Sequence, residues 1–219
     1  MTAESETSSI NPSNDGPVVH VVDDDPNYLR AVSRLLRAAG FRVESFSSAE
    51  NFLVHRGRKP DVPGCVILDL RMPGLGGLEL QDLVRQLREP LPVIFLSGHG
   101  DVTSSVQAMK GEAIDFLVKP VSVEDLVAAV KRALASDAEA REERRRMREL
   151  RGRYEGLTSR EREVLALVVR GLLNKQIAYE LGTVERTIKA HRAQVMAKMK
   201  VQSLAELVRV TERLGDILE

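Results

Sequence analysis

Several short apolar runs in the first half of the chain are followed at once by side chains that can take part in metal or phosphoryl chemistry. These side chains are Asp23, Asp24, Asp25, Asp69, Ser97 and Lys119. Carboxylates that meet in one crevice repel one another, so such a group requires a cation. Oxygen ligands with open water positions suit Mg²⁺. The residue types therefore predict a magnesium site.

The same residues could transfer a phosphoryl group. Mg²⁺, an ammonium from Lys119 and a hydroxyl from Ser97 would neutralise its charge and hold it in line with a carboxylate. A carboxylate nucleophile such as Asp69 then forms an acyl phosphate. The alternative is a set of surface acids with a structural lysine, and the placement at four separate strand ends favours the site.

The elements that must position these residues follow from the hydrophobic pattern. Continuous or alternating apolar runs predict strands, and helical spacing lies between them. The strands are predicted at Val18–Val22, 41–46, 65–70, 91–97 and 113–118, and the helices at 26–39, 75–87, Val102–Lys110 and from about residue 122. Strands that alternate with helices predict an α/β doubly wound five-stranded parallel sheet, flavodoxin-like, whose functional side chains gather at the carboxyl ends of the strands.

The pattern changes after residue 135. Residues 136–156 are dense in mixed charge and predict an exposed, salt-bridged helical linker, with a short coiled-coil contact through Met147, Leu150 and Tyr154 left open. Residues 157–219 read as all-α, and residues 1–16 as a disordered tail. Thr158 and Glu161 predict a capping box. Two later helices are joined by Gly182-Thr183 and have the form of a helix-turn-helix.

Composition limits the function classes. The chain has 219 residues, and 43% of them are hydrophobic, as expected of a protein that forms its own core. Its net charge is zero and therefore does not indicate a class of binding partner. Bases outnumber acids over residues 158–200, which suits nucleic acid. The single cysteine, Cys65, excludes an internal disulfide and is expected to be buried. No apolar run approaches the ~20 residues of a membrane span, and the N-terminus lacks a signal-peptide pattern, so we expect a cytoplasmic protein.

Four segments, "VVDDD", "ILDLRMPGLGGLEL", "VIFLSGHGD" and "AIDFLVKP", resemble two-component receiver domains over residues 17–135, and "SGHGDVTSSVQAMKGEAIDFLVKP" resembles the nitrogen-fixation (FixJ-like) regulator subclass. The resemblance implies that Asp69 is the phosphoacceptor, that Lys119 contacts the phosphoryl group, and that Lys119 precedes a cis proline. Mg²⁺ would be held by Asp24, Asp69 and the backbone carbonyl of Arg71, with Asp23 acting through water. Ser97 and Phe116 would be the switch residues. The run of three acids leaves Asp25 as an alternative to Asp24.

The segment "LTSREREVLALVVRGLLNKQIAYELGTVERTIKAHRAQVMAKMKV" resembles the LuxR-type DNA-binding domain. Val184, Ile188, Val195 and Met199 should pack inward, and Thr183 should cap the recognition helix. The residues expected to approach DNA are Lys175, Glu185, Arg186, Thr187, Lys189, His191, Arg192 and Lys198. Lys189 and Arg192 are expected in the major groove, and Lys175, Arg186 and Lys198 on phosphates. For His191 a structural role and a phosphate contact both stay open.

Together the two resemblances predict a DNA-binding transcriptional response regulator. Its expected partners are a sensor histidine kinase, double-stranded promoter DNA, RNA polymerase and, on activation, a second copy of the chain. We expect it not to bind a membrane. It should not be an enzyme beyond slow self-dephosphorylation. A phosphatase with an aspartyl-phosphate intermediate would need a second acid two residues after Asp69, where Arg71 stands. A receiver that only binds protein, without phosphate, is the other alternative.

Overall fold

The computed structural model describes residues 16–98 and 102–218. The tail predicted for residues 1–16 therefore lies outside the described residues, apart from Gly16. The chain forms two compact units, Met1–Arg141 and Glu142–Glu219. Each unit is considered by itself.

The N-terminal unit is built on a parallel sheet of five strands in the order β2-β1-β3-β4-β5. The strands are β1 Val18–Val22, β2 Arg42–Phe46, β3 Gly64–Asp69, β4 Val93–Ser97 and β5 Asp115–Val118. Every residue of β1, β3 and β4 is buried, as a strand covered on both faces requires. The predicted doubly wound sheet is confirmed, with strand ends shifted by one or two residues.

Helices cover both faces of this sheet. They are α1 Pro26–Ala38, α2 Ala49–Arg58, α3 Gly77–Arg85, α4 Val102–Lys110 and α5 Val123–Glu155. Side chains alternate along each strand, so Cys65 and Ile67 join the core formed with α1 and α5. Val66 and Leu68 join the core formed with α2, α3 and α4. Cys65 is buried as predicted, and burial raises the pKa of its thiol well above the ordinary value.

The sequence pattern did not predict α2. Its inner face combines Ala49 and Phe52 with Arg56, whose side chain is only 2% exposed. The Arg56 guanidinium donates to the backbone oxygens of Val62 and Glu89, at 2.7 and 3.0 Å. A charged residue on the buried face breaks the apolar period by which a helix is recognised.

The start of the predicted linker is anchored to the N-terminal unit rather than exposed. Asp137 is 2% exposed, and its Oδ2 accepts a hydrogen bond from the backbone N of Gly64 at 2.8 Å. Arg141 Nε donates to the same carboxylate at 2.8 Å, and its other nitrogens donate to the carbonyls of Asp61 and Val62. Ion pairs between residues three or four apart, such as Arg145 with Glu142 and Glu149, do follow further along the helix.

The C-terminal unit is helical, with α6 Ser159–Val169, α7 Asn174–Glu180, α8 Glu185–Met199 and α9 Leu204–Leu218. The predicted capping box is present: the Thr158 hydroxyl accepts from the Glu161 N at 3.2 Å, and the Glu161 carboxylate accepts from the Thr158 N at 2.7 Å. Met147, Leu150 and Tyr154 of α5 pack into the core of this unit. Their apolar character is therefore accounted for within the chain, without a coiled-coil contact.

Two predictions for the recognition helix are wrong at its N-terminus. Val184 is 65% exposed instead of packing inward, because it is the N-cap residue and precedes the first helical turn. Thr183 is consequently one residue too early to cap, and α8 has no side-chain cap. Ile188, Val195 and Met199 are buried as predicted. Within the described residues, no helix is both long and apolar enough to cross a membrane.

Candidate functional sites

The carboxyl ends of β1, β3, β4 and β5 meet around a crevice of about 200 Å³. Its lining residues are Asp23, Asp24, Asp25, Asp69, Arg71, Ser97, Gly98 and Lys119. The parallel register puts these strand ends at one edge of the sheet, since each strand pairs directly with its neighbour. The structure thus brings together the residues that the sequence placed at separate strand ends.

Lys119 bridges two of the carboxylates. Its Nζ lies 2.6 Å from Asp23 Oδ2 and 2.7 Å from Asp69 Oδ1. Burial raises the pKa of Asp23, against the lowering effect of the Lys119 hydrogen bond. Burial also disfavours the Lys119 ammonium, but its hydrogen bonds to Asp23 and Asp69 outweigh this and raise its pKa. Lys119 therefore stays charged at neutral pH and holds both acids in place.

Asp69 has two differently placed oxygens. Oδ1 accepts from Lys119, whereas Oδ2 accepts from the backbone N of Arg71 at 2.9 Å. The side chain of Arg71 is exposed, so this residue serves the crevice through its backbone. The Lys119–Pro120 peptide bond is cis, as predicted.

The structure distinguishes the three consecutive acids by their partners. The Asp23 carboxylate is buried and accepts from Lys119 and from the Asp25 N. Asp25 is the N-cap of α1, and its Oδ1 accepts from the backbone N of Asn27 and of Tyr28. Asp24 is exposed and lines the crevice. Capping occupies Oδ1 of Asp25, so this geometry favours Asp24 over Asp25 as a cation ligand, and the ligand role stays a prediction.

The oxygen donors of this crevice fit Mg²⁺. Asp24, Asp69 and the backbone at Arg71 lie around one cavity, and the acids outnumber the single ammonium of Lys119. A hard divalent ion prefers carboxylate and carbonyl oxygens and keeps several waters, which an open crevice allows.

Tyr28 is a residue of this site that the sequence analysis missed. The Lys119 Nζ lies 4.1 Å from the centroid of the Tyr28 ring, within the range of a cation–π interaction. The Tyr28 hydroxyl is buried and has no hydrogen-bond partner among the described residues. Its position on the first turn of α1, beside the acids, was the only sequence signal, and that signal also fits an ordinary core residue.

Of the predicted switch residues, Ser97 lines the crevice, and Phe116 lies on the neighbouring strand β5. Ser97 ends β4 in a buried position, and its backbone oxygen accepts from the Lys119 N at 2.8 Å. Phe116 is half-buried on β5 and packs against the core that contains Phe95, with ring centroids 6.1 Å apart. The switch roles of Ser97 and Phe116 stay predictions.

The second candidate site is the outward face of α8 in the C-terminal unit. Glu185, Arg186 and Lys189 are exposed there, and Thr187, His191 and Arg192 are half-buried. Lys189 Nζ lies 3.1 Å from Glu185 Oε1, and Arg192 donates to the Asn174 side chain at 3.2 Å. Lys175 is exposed on the neighbouring helix α7. The helix-turn-helix thus presents basic side chains on the face opposite its core.

Lys198 is engaged inside the unit. Its Nζ lies 2.6 Å from Oε2 of the buried Glu161, which also closes the capping box of α6. This ion pair gives Lys198 a structural role that the sequence did not predict, because the two residues lie 37 positions apart. Its predicted phosphate contact would compete with that ion pair.

Comparison with known families assigns both units. Residues 19–131 match the response regulator receiver domain family. Residues 155–211 match the bacterial regulatory proteins of the luxR family.

Relatives cover nearly the whole chain. The response regulator protein TodT of Pseudomonas putida is 48% identical over 202 residues, covering 92% of this chain and 88% of that protein. The transcriptional regulatory protein FixJ of Rhizobium meliloti is 42% identical over 193 residues, covering 88% and 93%. The structure of the response regulator StyR matches with a TM-score of 0.80 and 45% identity, over 90% of this chain and 98% of that one. Full-length FixJ from B. japonicum matches with a TM-score of 0.54 and 39% identity, over 91% and 97%.

Proposed function

This chain belongs to the two-component response regulators that join a receiver domain to a LuxR-type DNA-binding domain, and from that premise we propose that Asp69 is its phosphoacceptor. The family is regulatory, and its members are transcriptional response regulators. We assign the receiver to residues 17–135, the helical linker to 136–156 and the DNA-binding domain to 157–219.

The contacts of Lys119 carry the proposal. The ammonium bridges Asp23 and Asp69 at 2.6 and 2.7 Å, and one oxygen of Asp69 also accepts from the Arg71 backbone. A surface lysine would not be held between two acids at 17% exposure. When Asp69 becomes an acyl phosphate, the ammonium is already within reach of the new negative charge.

Each residue of the crevice then has a role. The Asp69 carboxylate attacks the phosphorus, and the bond from phosphorus to the donor breaks as the new bond forms. Lys119 holds a positive charge beside the transferred group, and the Ser97 hydroxyl donates a hydrogen bond to it. Asp24, Asp69 and the Arg71 carbonyl would hold Mg²⁺, with Asp23 acting through water, and the ion would supply charge neutralisation. The movement of Ser97 and Lys119 towards the phosphoryl group would shift the packing of Phe116.

The expected partners follow from the two domains. A sensor histidine kinase donates the phosphoryl group, and double-stranded promoter DNA meets α8, both in the cytoplasm. Two copies of the chain would read paired half-sites and contact RNA polymerase. Support for self-association comes from the exposed apolar side chains Val106, Met109 and Val118 on α4 and β5, at 46, 51 and 50% exposure. Activation would bring these surfaces together.

One experiment tests Asp69 as the acceptor. The full chain is incubated with Mg²⁺ and labelled acetyl phosphate, and the wild type is compared with Asp69→Asn. Asp82→Asn is the matched control, since it removes an exposed carboxylate of α3 outside the crevice.

Stable labelling of the wild type and of Asp82→Asn, with none in Asp69→Asn, supports the proposal, as does tighter DNA binding by the labelled protein. Rapid continuous release of phosphate would identify a phosphatase instead. A wild type that takes up no label would point to a receiver that works only as a protein-binding module.

A further inference from the structure

A second group of metal-ligating side chains lies on the N-terminal unit, away from the acidic crevice. His20 of β1, Glu44 of β2 and His55 of α2 place one ligand atom each within 4.8 Å of one another. His20 Nδ1 lies 3.6 Å from Glu44 Oε2, and His55 Nε2 lies 2.6 Å from the same oxygen. His20 and Glu44 are paired neighbours in the sheet, so their positions are set by the backbone register.

His20 is the unusual member of the group. It is 2% exposed, and neither of its ring nitrogens has a hydrogen-bond partner among the described residues. Its ring lies among aromatic side chains, with centroids 6.0 Å from Phe46 and 5.5 Å from Phe52. Buried polar atoms are nearly always satisfied, so a buried imidazole that faces a carboxylate and another histidine without a hydrogen bond requires an explanation.

We propose that His20, Glu44 and His55 bind a divalent transition-metal ion of the zinc class. Two imidazoles and one carboxylate form a recurrent zinc ligand set with one position left for water. In a tetrahedral zinc site, metal–ligand bonds of ~2.0–2.2 Å place neighbouring ligand atoms roughly 3.3–3.5 Å apart. The distance from His20 to Glu44 is close to this spacing. His55 would have to move back from Glu44, and as a side chain at 26% exposure it has room to do so.

The surroundings give the ion access and set its affinity. Glu44 and His55 are 32 and 26% exposed, so the fourth position opens towards solvent. Lys59 Nζ lies 3.7 Å from the other oxygen of Glu44 and opposes a cation, but Lys59 is 57% exposed and can turn away. Arg56, also on α2, is held by backbone carbonyls and adds further positive charge. The site therefore binds zinc with moderate affinity, which increases when Lys59 is neutralised.

This site differs in chemistry from the acidic crevice. Imidazole nitrogens favour borderline ions such as Zn²⁺ and Co²⁺, whereas carboxylate and carbonyl oxygens favour Mg²⁺. Metal at the cluster would join β1, β2 and α2 without using any residue of the crevice. The proposal is independent of whether Asp69 accepts a phosphoryl group.

The test titrates Zn²⁺ and Co²⁺ into the full, tag-free chain in the presence of excess Mg²⁺. Affinity is measured by competition with a chromogenic chelator, ligand type by the visible spectrum of Co²⁺, and stability by thermal unfolding. The variants are His55→Ala, Glu44→Gln and His20→Leu, and Lys59→Gln tests the opposing charge. His191→Ala, a histidine of the other unit, and Asp24→Asn, an acid of the crevice, are the controls.

We expect one Zn²⁺ per chain, a Co²⁺ spectrum with nitrogen ligands, and a higher Tm when metal is present. Each cluster variant should lose more than the roughly 10–100-fold in affinity that the loss of an outer-shell partner costs. Lys59→Gln should bind Zn²⁺ several-fold more tightly than the wild type does, and both controls should bind Zn²⁺ with the affinity of the wild type. Three results would overturn the proposal. Zinc binding could survive in the surface variants His55→Ala and Glu44→Gln, it could be lost in Asp24→Asn, or the wild type could bind no zinc below millimolar concentration.

Discussion

The interaction between Tyr28 and Lys119 makes a prediction that separates the aromatic ring from its hydroxyl. The ring lies 4.1 Å from the ammonium, whereas the buried hydroxyl has no hydrogen-bond partner among the described residues. Tyr28→Phe keeps the ring and removes only the hydroxyl, and Tyr28→Leu removes the ring. We therefore expect Tyr28→Phe to be as stable as the wild type, and Tyr28→Leu to be less stable.

The size of the effect follows from the burial of Lys119. A cation–π interaction contributes about 0.5–1 kcal/mol at an exposed site and about 2 kcal/mol when desolvated. Lys119 is 17% exposed, which places the expected loss in Tyr28→Leu at about 1–2 kcal/mol. Because the ring helps to position the ammonium, labelling of Asp69 by acetyl phosphate should also be slower in Tyr28→Leu.

The assay is urea unfolding of the full chain without Mg²⁺, followed by circular dichroism. The unfolding of the N-terminal unit is fitted separately if two transitions are resolved. A double-mutant cycle with Lys119→Met isolates the pairwise contribution, and we expect a coupling of about 1–2 kcal/mol. A coupling below about 0.5 kcal/mol would refute the cation–π interpretation. Equal losses in Tyr28→Phe and Tyr28→Leu would show that the hydroxyl is the important group.

Three further predictions concern other parts of the chain. Lys189→Ala should weaken binding to the cognate operator more than binding to random DNA, whereas Lys175→Ala should weaken binding to both DNAs alike and flatten its salt dependence. Competition binding at several salt concentrations measures these effects. Equal weakening of operator and random-DNA binding by Lys189→Ala would contradict the prediction. Asp137→Ala removes a buried carboxylate that pairs with Arg141. It should lower the free energy of unfolding, measured by urea denaturation, by about 3–5 kcal/mol. A loss near zero would exclude a structural role for the pair. Burial raises the pKa of the Cys65 thiol, so the folded chain should not react with a thiol reagent at about pH 8 and should react on unfolding; rapid labelling of the native protein would contradict the buried position.

Much of the fold could be predicted because its signals are local. Strands buried on both faces read as continuous apolar runs, and the capping box of Thr158 and Glu161 is a short-range hydrogen-bond pattern. The crevice followed from a rule about parallel sheets, since carboxyl ends of neighbouring strands lie at one edge. Helix α2 was missed because Arg56 interrupts its apolar face. Of the two carbonyls that satisfy Arg56, that of Val62 lies only six positions away, but that of Glu89 lies 33 positions away.

The sequence by itself determined the sheet, the helical C-terminal unit and the residue types gathered at the crevice, because hydrophobic period and strand-end position are properties of short segments. Only the tertiary structure decided which partners those residues take. It placed Tyr28 over Lys119, bridged Asp23 and Asp69 through Lys119, and paired Lys198 with Glu161. Such pairings depend on how distant elements pack, since a charged or polar side chain takes the nearest partner that packing places beside it.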